Sequence, residues 1–390
     1  MSSKIKKKSI IICTTEFITN DEYGGLAVFL DKFIKILKKK YTIQLIVSSR
    51  SNETKKYKGI YIHNINLDRF YIKIFKKYLN WFFCILQSYF INKKIESLTL
   101  HNKNIKFIHF SNYQFIGLFY KNTLPTVTRL SSLEFLWEKE NLFPIKKIFE
   151  RYTLSKSDII FSPSRFLMHE LKEKYKLNSN FLPPIIANKK TINIKKAKNI
   201  NCKIILTFGS ISPGKGSETI IKMINNILKI DKDLQFYWIG NVDKKYYPSN
   251  KKFENILKEN TSFPNRVKVL KRKKKKELFN FIHKSKIILL PSLRDNSPNA
   301  CLEALSFCKP IIARKHSGYD DLIKNNFNGF LFNKDKNEEI TNIISKILRF
   351  DNNKLNLLRK NIKTHNKKFT AWQVKKIYEN YLDKLLHASE

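Results

Sequence analysis

Short runs of β-branched and other apolar residues alternate along the chain with stretches whose apolar positions repeat at helical spacing. In the first half the runs predict strands over residues 9–14, 43–48, 60–65, 105–110, 126–130 and 158–162. In the second half they predict strands over 203–208, 234–239, 266–270, 286–290, 310–313 and 329–332. Strands separated by helical segments predict α/β architecture with parallel, doubly wound sheets. Residues 188–200 carry many Lys and Asn and little apolar periodicity, which marks a linker. The predicted organisation is a domain over 1–187, the linker, a second domain over 201–368 and a final helix over 369–390. That helix carries Trp372, Val374, Ile377, Tyr378, Tyr381 and Leu385 at helical spacing. Two such halves around one linker place a ligand cleft between them, at the C-terminal ends of the strands.

Composition narrows the partners. The chain has 390 residues and 42% hydrophobic residues, enough for two ordinary cores. Lys plus Arg number 75 against 32 Asp plus Glu, a net charge of +43. Such an excess points to an anionic partner: nucleic acid, anionic lipid or a phosphorylated substrate. Heavy joint use of Lys, Asn and Ile also indicates AT-rich coding, so part of the excess is compositional drift. Cys13, Cys84, Cys202, Cys301 and Cys308 are scattered, without a C-x-x-C pair or a His cluster. That pattern suits a reduced, cytosolic compartment and no zinc site. The apolar core over 10–13 is too short for a signal peptide, and no stretch reaches the length of a membrane span.

The segment 291–322 carries the most chemistry. An apolar run over 287–290 breaks at Pro291, and a polar loop, a short helix and a second apolar run over 310–313 follow. Asp295 and Glu303 bracket the loop-to-helix turn. Asn296 or Ser297 can cap the helix, and Pro298 suits its first turn, where a missing N–H costs nothing. The amides of Asn299, Ala300 and Cys301 are then open to an anion, especially a phosphate. A second segment, Gly209-Ser-Ile-Ser-Pro-Gly-Lys215-Gly216, lies between a strand and a helix and nearly matches the P-loop pattern. Gly216 stands where that pattern needs a magnesium-binding hydroxyl, and Pro213 has no N–H to offer a phosphate.

Together these segments resemble the family 4 (group 1) glycosyltransferases, which have the two-domain GT-B fold. The resemblance rests on two acids with seven residues between them opening a helix, then a small-residue turn, Pro and a strand. It extends to a glycine loop ending in Lys-Gly. It implies two Rossmann-like domains and transfer of a sugar, with retention of configuration, from a nucleotide diphosphate-sugar. It implies that Lys215 neutralises the diphosphate, that Glu303 binds the ribose hydroxyls and that Asp295 binds hydroxyls of the donor sugar. It also implies that Gly24 and Gly25 lie beside the diphosphate. Ser210 stands where the family usually has Arg. Against these roles stand plainer readings: a loop-to-helix turn at Gly24, a solvated loop lysine, and two acids that merely favour a helix N-terminus.

Other segments leave alternatives open. The family's first-domain His has no counterpart near 125–132, so Arg129 or Ser131 is the candidate there, with His109 as another. Lys271 to Lys276 either lines the nucleobase pocket or is a solvated basic run. Asp231-Lys-Asp233 precedes a strand and reads as a turn, so no metal is required, because Lys215 and a helix N-terminus can hold the leaving diphosphate. Residues 69–94 mix aromatics with terminal lysines; they suit either a membrane interface or a core helix with snorkelling lysines. The expected protein is a cytoplasmic enzyme, peripheral on the inner face of the membrane. It acts on a lipid-linked or polysaccharide acceptor in surface polysaccharide or lipopolysaccharide assembly, without cofactor and without nucleic acid. Rival readings are a P-loop kinase or NTPase and a non-catalytic basic protein on nucleic acid or membrane.

Overall fold

The computed structural model describes residues 7–20, 24–49, 51–67, 80–136, 144–186, 203–333, 336 and 338–387. The expected linker over 188–200, Cys202 and the first part of the 69–94 segment lie outside the described residues. The chain divides into two compact units, Met1–Ile185 with Ala371–Glu390, and Ile186–Thr370.

In the first unit, among the described residues, eight strands form one sheet: β1 (Ser9–Thr14), β2 (Thr42–Ser49), β3 (Thr54–Tyr57), β4 (Ile60–Asn66), β5 (Ile105–Ser111), β6 (Thr126–Arg129), β7 (Ile159–Ser162) and β8 (Asn180–Phe181), in the order β3-β4-β2-β1-β5-β6-β7-β8. Every pairing is parallel except β3 with β4. Strand β1 is buried along its whole length, as a strand covered on both faces must be. On one face Ile10, Ile12, Phe107, Val127 and Phe161 pack with the helices Gly25–Leu37 and Ala371–His387. On the other, Ile11, Cys13, Ile108 and Phe110 pack with the helix Asn80–His101.

The helix Ala371–His387 buries Val374, Tyr378 and Leu382, one per turn, in the first unit. The ring of Tyr378 lies edge-on to Phe33 at 4.8 Å, and its hydroxyl sits 2.8 Å from His109 Nδ1. In Asn80–His101 the buried stripe is Phe83, Cys84, Gln87, Ser88, Ile91, Asn92 and Ile95. Phe83 is therefore a core residue, while Trp81, Phe82 and Phe90 are half-buried. Among the described residues no helix is long and apolar enough to cross a membrane.

The second unit holds β9 (Lys203–Phe208), β10 (Leu234–Ile239), β11 (Val267–Leu270), β12 (Ile287–Leu290), β13 (Ile311–Arg314) and β14 (Phe330–Phe332), all parallel, in the order β11-β10-β9-β12-β13-β14. Numbered within the unit this is 3-2-1-4-5-6, the doubly wound dinucleotide-binding order. The strand order reverses between β9 and β12. A ligand is expected just beyond the C-terminal ends of those two strands, where the two glycine- and proline-bearing motifs lie.

Candidate active site

The loops after β9 and β12 come from positions about 80 residues apart and meet through three direct contacts and a bridging arginine. The Leu293 amide donates to the Gly214 carbonyl at 3.0 Å. Lys215 Nζ donates to Asp295 Oδ2 at 2.7 Å. Gly216, at φ +83°, backs onto Pro291 so closely that a Cβ would lie 2.3 Å from the Pro291 carbonyl oxygen. Arg314, buried, donates through Nη2 to Thr219 Oγ1 at 2.8 Å and through Nε to the Pro291 carbonyl at 3.4 Å. From the other side, Gly318 donates to the Asp295 carbonyl at 2.6 Å, and a Cβ there would lie 2.5 Å from the Asn296 carbonyl oxygen. The Asp295 loop is thus clamped between two glycines whose missing side chains make the approach possible.

Gly216 needs both its left-handed backbone and its lack of a side chain. A Ser or Thr there would meet Pro291, so the hydroxyl that a P-loop uses for magnesium has no room at this position. The stretch Pro213–Lys215 is a 3-10 turn, and the helix Ser217–Lys229 follows it. Behind the turn, a Cβ at Gly240 would lie 1.8 Å from the Gly209 carbonyl oxygen, which fixes the start of the loop against the end of β10.

The helix after the second loop is Asn299–Ser306. It corrects the expected cap. Pro298 occupies the N-cap position with φ −71° and ψ 93°, and no side chain caps the helix. The Pro298 carbonyl accepts the first helical bond, from Leu302 N–H at 3.2 Å. Neither Asn296 nor Ser297 caps, because the helix starts one residue later than expected, with Pro298 itself at the N-cap, and Asn296 is buried beneath Gly318. The amides of Asn299, Ala300 and Cys301 precede that first bond and form the helix's positive end. The Cys301 side chain itself belongs to the core, where burial pushes its thiol pKa well above the ordinary value. Glu303 stands half-buried one turn further on.

The remaining predicted residues are placed as follows. Ser210 is exposed at the start of the first loop. Lys271 to Lys274 form the exposed loop after β11, apart from a half-buried Lys273, and Lys275 opens the helix Lys275–Lys284. Asp231 to Asp233 form a turn before β10, with Asp231 paired to Lys203 at 2.5 Å. Among the described residues no group of three or more His, Cys, Asp or Glu is placed to hold a metal ion.

In the first unit, Gly24 is the N-cap of Gly25–Leu37. The Glu16 carboxylate accepts from Gly24 N–H at 2.8 Å and from Ala27 N–H at 3.2 Å, so an anionic group already sits on these amides. Arg129 ends β6 and is 3% exposed, with the Phe29 ring 3.5 Å from its guanidinium carbon. Burial brings its pKa down to about 9. The loop after β6 is fixed from below. Asn112 Oδ1 accepts from Ser131 N–H at 2.7 Å, and Asn112 Nδ2 donates to Ser132 O at 2.5 Å and to Glu150 Oε1 at 3.1 Å. Burial of Glu150 raises its pKa to about 8.

Sequence reasoning missed Arg314, Thr219, Ser292 and Tyr319, which brace the Asp295 loop from beneath. Tyr319 is fully buried, and its hydroxyl donates to Ser292 Oγ at 3.3 Å. The only signal was Gly318 in a sequence otherwise short of glycine, which has ten in all.

Comparison with known proteins follows the same division. Aligned over nearly its full length, the chain has the two-unit GT-B architecture of solved structures. Sucrose-phosphate synthase from Thermosynechococcus elongatus aligns at a TM-score of 0.75 with 14% identity, over 98% of this chain and 100% of that one. HepE from Anabaena, solved in complex with UDP, aligns at 0.73 with 13% identity, over 96% of this chain and 100% of that one. Residues 188–368 match the family described as Glycosyl transferases group 1. A relative from Methanocaldococcus jannaschii, named as an uncharacterized glycosyltransferase, is 28% identical over 377 residues, covering 92% of this chain and 95% of the relative.

Proposed function

We propose that the chain moves a sugar from a nucleotide diphosphate-sugar to a lipid-linked or polysaccharide acceptor, with retention and without a metal ion. The observation that carries this reading is the Lys215–Asp295 pair, held at 2.7 Å at the reversal of strand order in the second unit, beside the helix start at Asn299. On binding, the diphosphate takes the ammonium of Lys215 and the amides of Asn299 to Cys301. Asp295, released from Lys215, turns to hydroxyls of the donor sugar, and Glu303 accepts from the ribose diol. Positive charge and a helix start at the leaving group do the work a divalent cation does elsewhere. Ser210 completes the donor's surroundings in the second unit, and in the first the Gly24–Gly25 loop offers a phosphate the amides that Glu16 now caps. Arg129 belongs to the acceptor side.

HepE was solved with UDP and with UDP-glucose, which makes uridine donors the first to test. The direct experiment is a thermal-shift screen of the full chain against UDP-, GDP-, ADP- and CMP-sugars in EDTA. A ligand at ~100 times its dissociation constant adds ~2.7 kcal/mol of stability. One nucleotide class is expected to stabilise the chain strongly, and no stabilisation by any of them contradicts the reading. Need for magnesium together with ATP turnover would favour a kinase or NTPase.

Surface polysaccharide or lipopolysaccharide assembly at the inner membrane face fits the net charge of +43 and the half-buried Trp81 and Phe82. Each Lys or Arg at an anionic surface contributes ~1 kcal/mol. Salt-sensitive co-sedimentation with anionic liposomes is expected; a protein that stays in the supernatant at low salt contradicts this part.

A further inference from the structure

The end of the first unit's sheet contains a buried cation that no described carboxylate pairs with. Arg129 is 3% exposed, yet among the described residues it has no carboxylate partner. Nη1 donates to the Leu130 carbonyl at 3.3 Å, while Nε and Nη2 are buried and have no hydrogen-bond partner. Those two nitrogens form one edge of the guanidinium, the fork that grips a carboxylate or two phosphate oxygens side-on. The Phe29 ring covers a face of the group and leaves that edge clear of aromatic contact.

The neighbours point the same way. Ser111 is the direct cross-strand partner of Arg129, so the two side chains share a face of the sheet. Ser111 Oγ is also buried without a partner. Two residues back on the same face, His109 binds the Tyr378 hydroxyl through Nδ1 and leaves Nε2 without one. On the adjacent strand end, Thr15 Oγ1 is likewise buried and unpartnered. Unsatisfied buried polar atoms are rare in folded proteins, and here they gather at the ends of three adjacent strands, β1, β5 and β6. The strand order of this sheet also reverses between β1 and β5, the position at which open α/β sheets bind ligands. All four residues can donate, and none of them carries a negative charge.

We infer that this cluster binds a carboxylate or phosphate group, held side-on by Arg129 Nε and Nη2 and by Ser111 Oγ. Under the glycosyltransferase reading, on which this step rests, the bound group belongs to the acceptor: a sugar acid, a phosphosugar or a lipid-linked phosphate. Shelter from solvent strengthens the pairing, because charge-assisted hydrogen bonds weaken in water. The neutral state of His109 is in keeping with it: burial first, and then the charge of Arg129, bring its pKa down to about 3. A second positive group therefore does not crowd the fork.

The test uses the full chain labelled with 15N-arginine. The Nε–H signal of Arg129 is assigned by its loss in Arg129→Lys, and the sample is titrated with inorganic phosphate and, separately, with malonate. Sodium chloride holds the ionic strength constant, so that diffuse binding to a basic surface cancels. The Arg129 signal is expected to shift saturably with one of the two anions, which decides between phosphate and carboxylate. Ser111→Ala is expected to weaken that binding about fivefold, the effect of one lost hydrogen bond. An Arg129 signal that moves with neither anion means that an internal water satisfies the fork, and it overturns the inference. A shift unaltered by Ser111→Ala overturns the assignment of Ser111. If Arg129→Lys fails to fold, the signal is identified instead by its nuclear Overhauser contacts to the Phe29 ring. Titration of the same sample with UDP reports on the second unit separately. UDP binding without an Arg129 response leaves the donor reading standing, and absence of binding by UDP and, in turn, by GDP and ADP removes it.

Discussion

The strand ends of the two units solve opposite problems with the same topology. In the second unit most of the polar groups at the reversal of strand order are paired with one another, with Asn296 Oδ1 an exception. Lys215 meets Asp295, Arg314 holds Thr219 and the Pro291 carbonyl, and Tyr319 holds Ser292. In the first unit the corresponding end leaves Thr15, His109, Ser111 and Arg129 with unpartnered atoms. The difference lies in what each end presents before a ligand arrives. The paired end is rigid and preorganised: two loops are locked by glycine contacts, with one ion pair that a diphosphate can displace. The unpaired end carries the cost of buried, unsatisfied donors, which a ligand's anionic group would relieve.

The sharpest way to break this contrast is to unlock the paired end. Gly216→Ala puts a Cβ 2.3 Å from the Pro291 oxygen and forces a left-handed backbone on Ala. The left-handed conformation costs about 1–2 kcal/mol and the overpacking about 1–3 kcal/mol. Chemical denaturation should show a loss of roughly 2–5 kcal/mol; an unchanged midpoint would mean that the loops are not locked here. Lys215→Ala should keep the fold and lower donor turnover by ~10²–10³, or ~2.7–4 kcal/mol, the effect of removing one charge-stabilising donor. A donor-hydrolysis assay measures this, and an unaltered rate removes Lys215 from the chemistry. Glu303→Gln keeps the shape and loses the charge-assisted bonds to the ribose, so nucleoside diphosphate affinity should fall by ~1.5–3 kcal/mol in calorimetry. Equal affinity would leave Glu303 as a helix residue only.

The smallest expected effect concerns pH at the unpaired end. His109 is fully buried and its folded pKa is about 3, below the unfolded value near 6.5. The unfolded chain therefore binds more protons between those values, and stability is lost as pH falls through that window. From pH 6.5 to 5.5 the loss from this group is about 1 kcal/mol. His109→Gln should flatten that part of the stability profile, and identical profiles for the two proteins would show that His109 does not carry it.

Much of the fold was legible because parallel strands buried on both faces are written as continuous apolar runs. Strands β1, β9 and β10 span the predicted residues, the other predicted strands shift by one position at one or both ends, and the two-residue β8 was not predicted. The hairpin of β3 with β4 escaped notice. Its outer strand, Thr-Lys-Lys-Tyr, is largely exposed and lysine-rich, as edge strands often are. Its turn, Lys58-Gly59, has positive φ at both residues, a hairpin turn that Lys-Gly does not announce. At the site, spacing pointed to Lys215, Asp295 and Glu303 separately. That Lys215 and Asp295 would meet depended on strand order, which no local pattern contains. Arg314 and Tyr319 were hidden for a related reason, since Arg314 braces Pro291, 23 residues earlier, and Tyr319 braces Ser292, 27 residues earlier.

The central claim is that the paired strand ends of the second unit hold a nucleoside diphosphate without a metal. Calorimetric titration of the full chain with UDP, GDP and ADP in EDTA tests it most directly. The account predicts one saturable site for one of these nucleotides, weakened by both Lys215→Ala and Glu303→Gln. No saturable binding of any of the three, or binding that both substitutions leave unchanged, would contradict it.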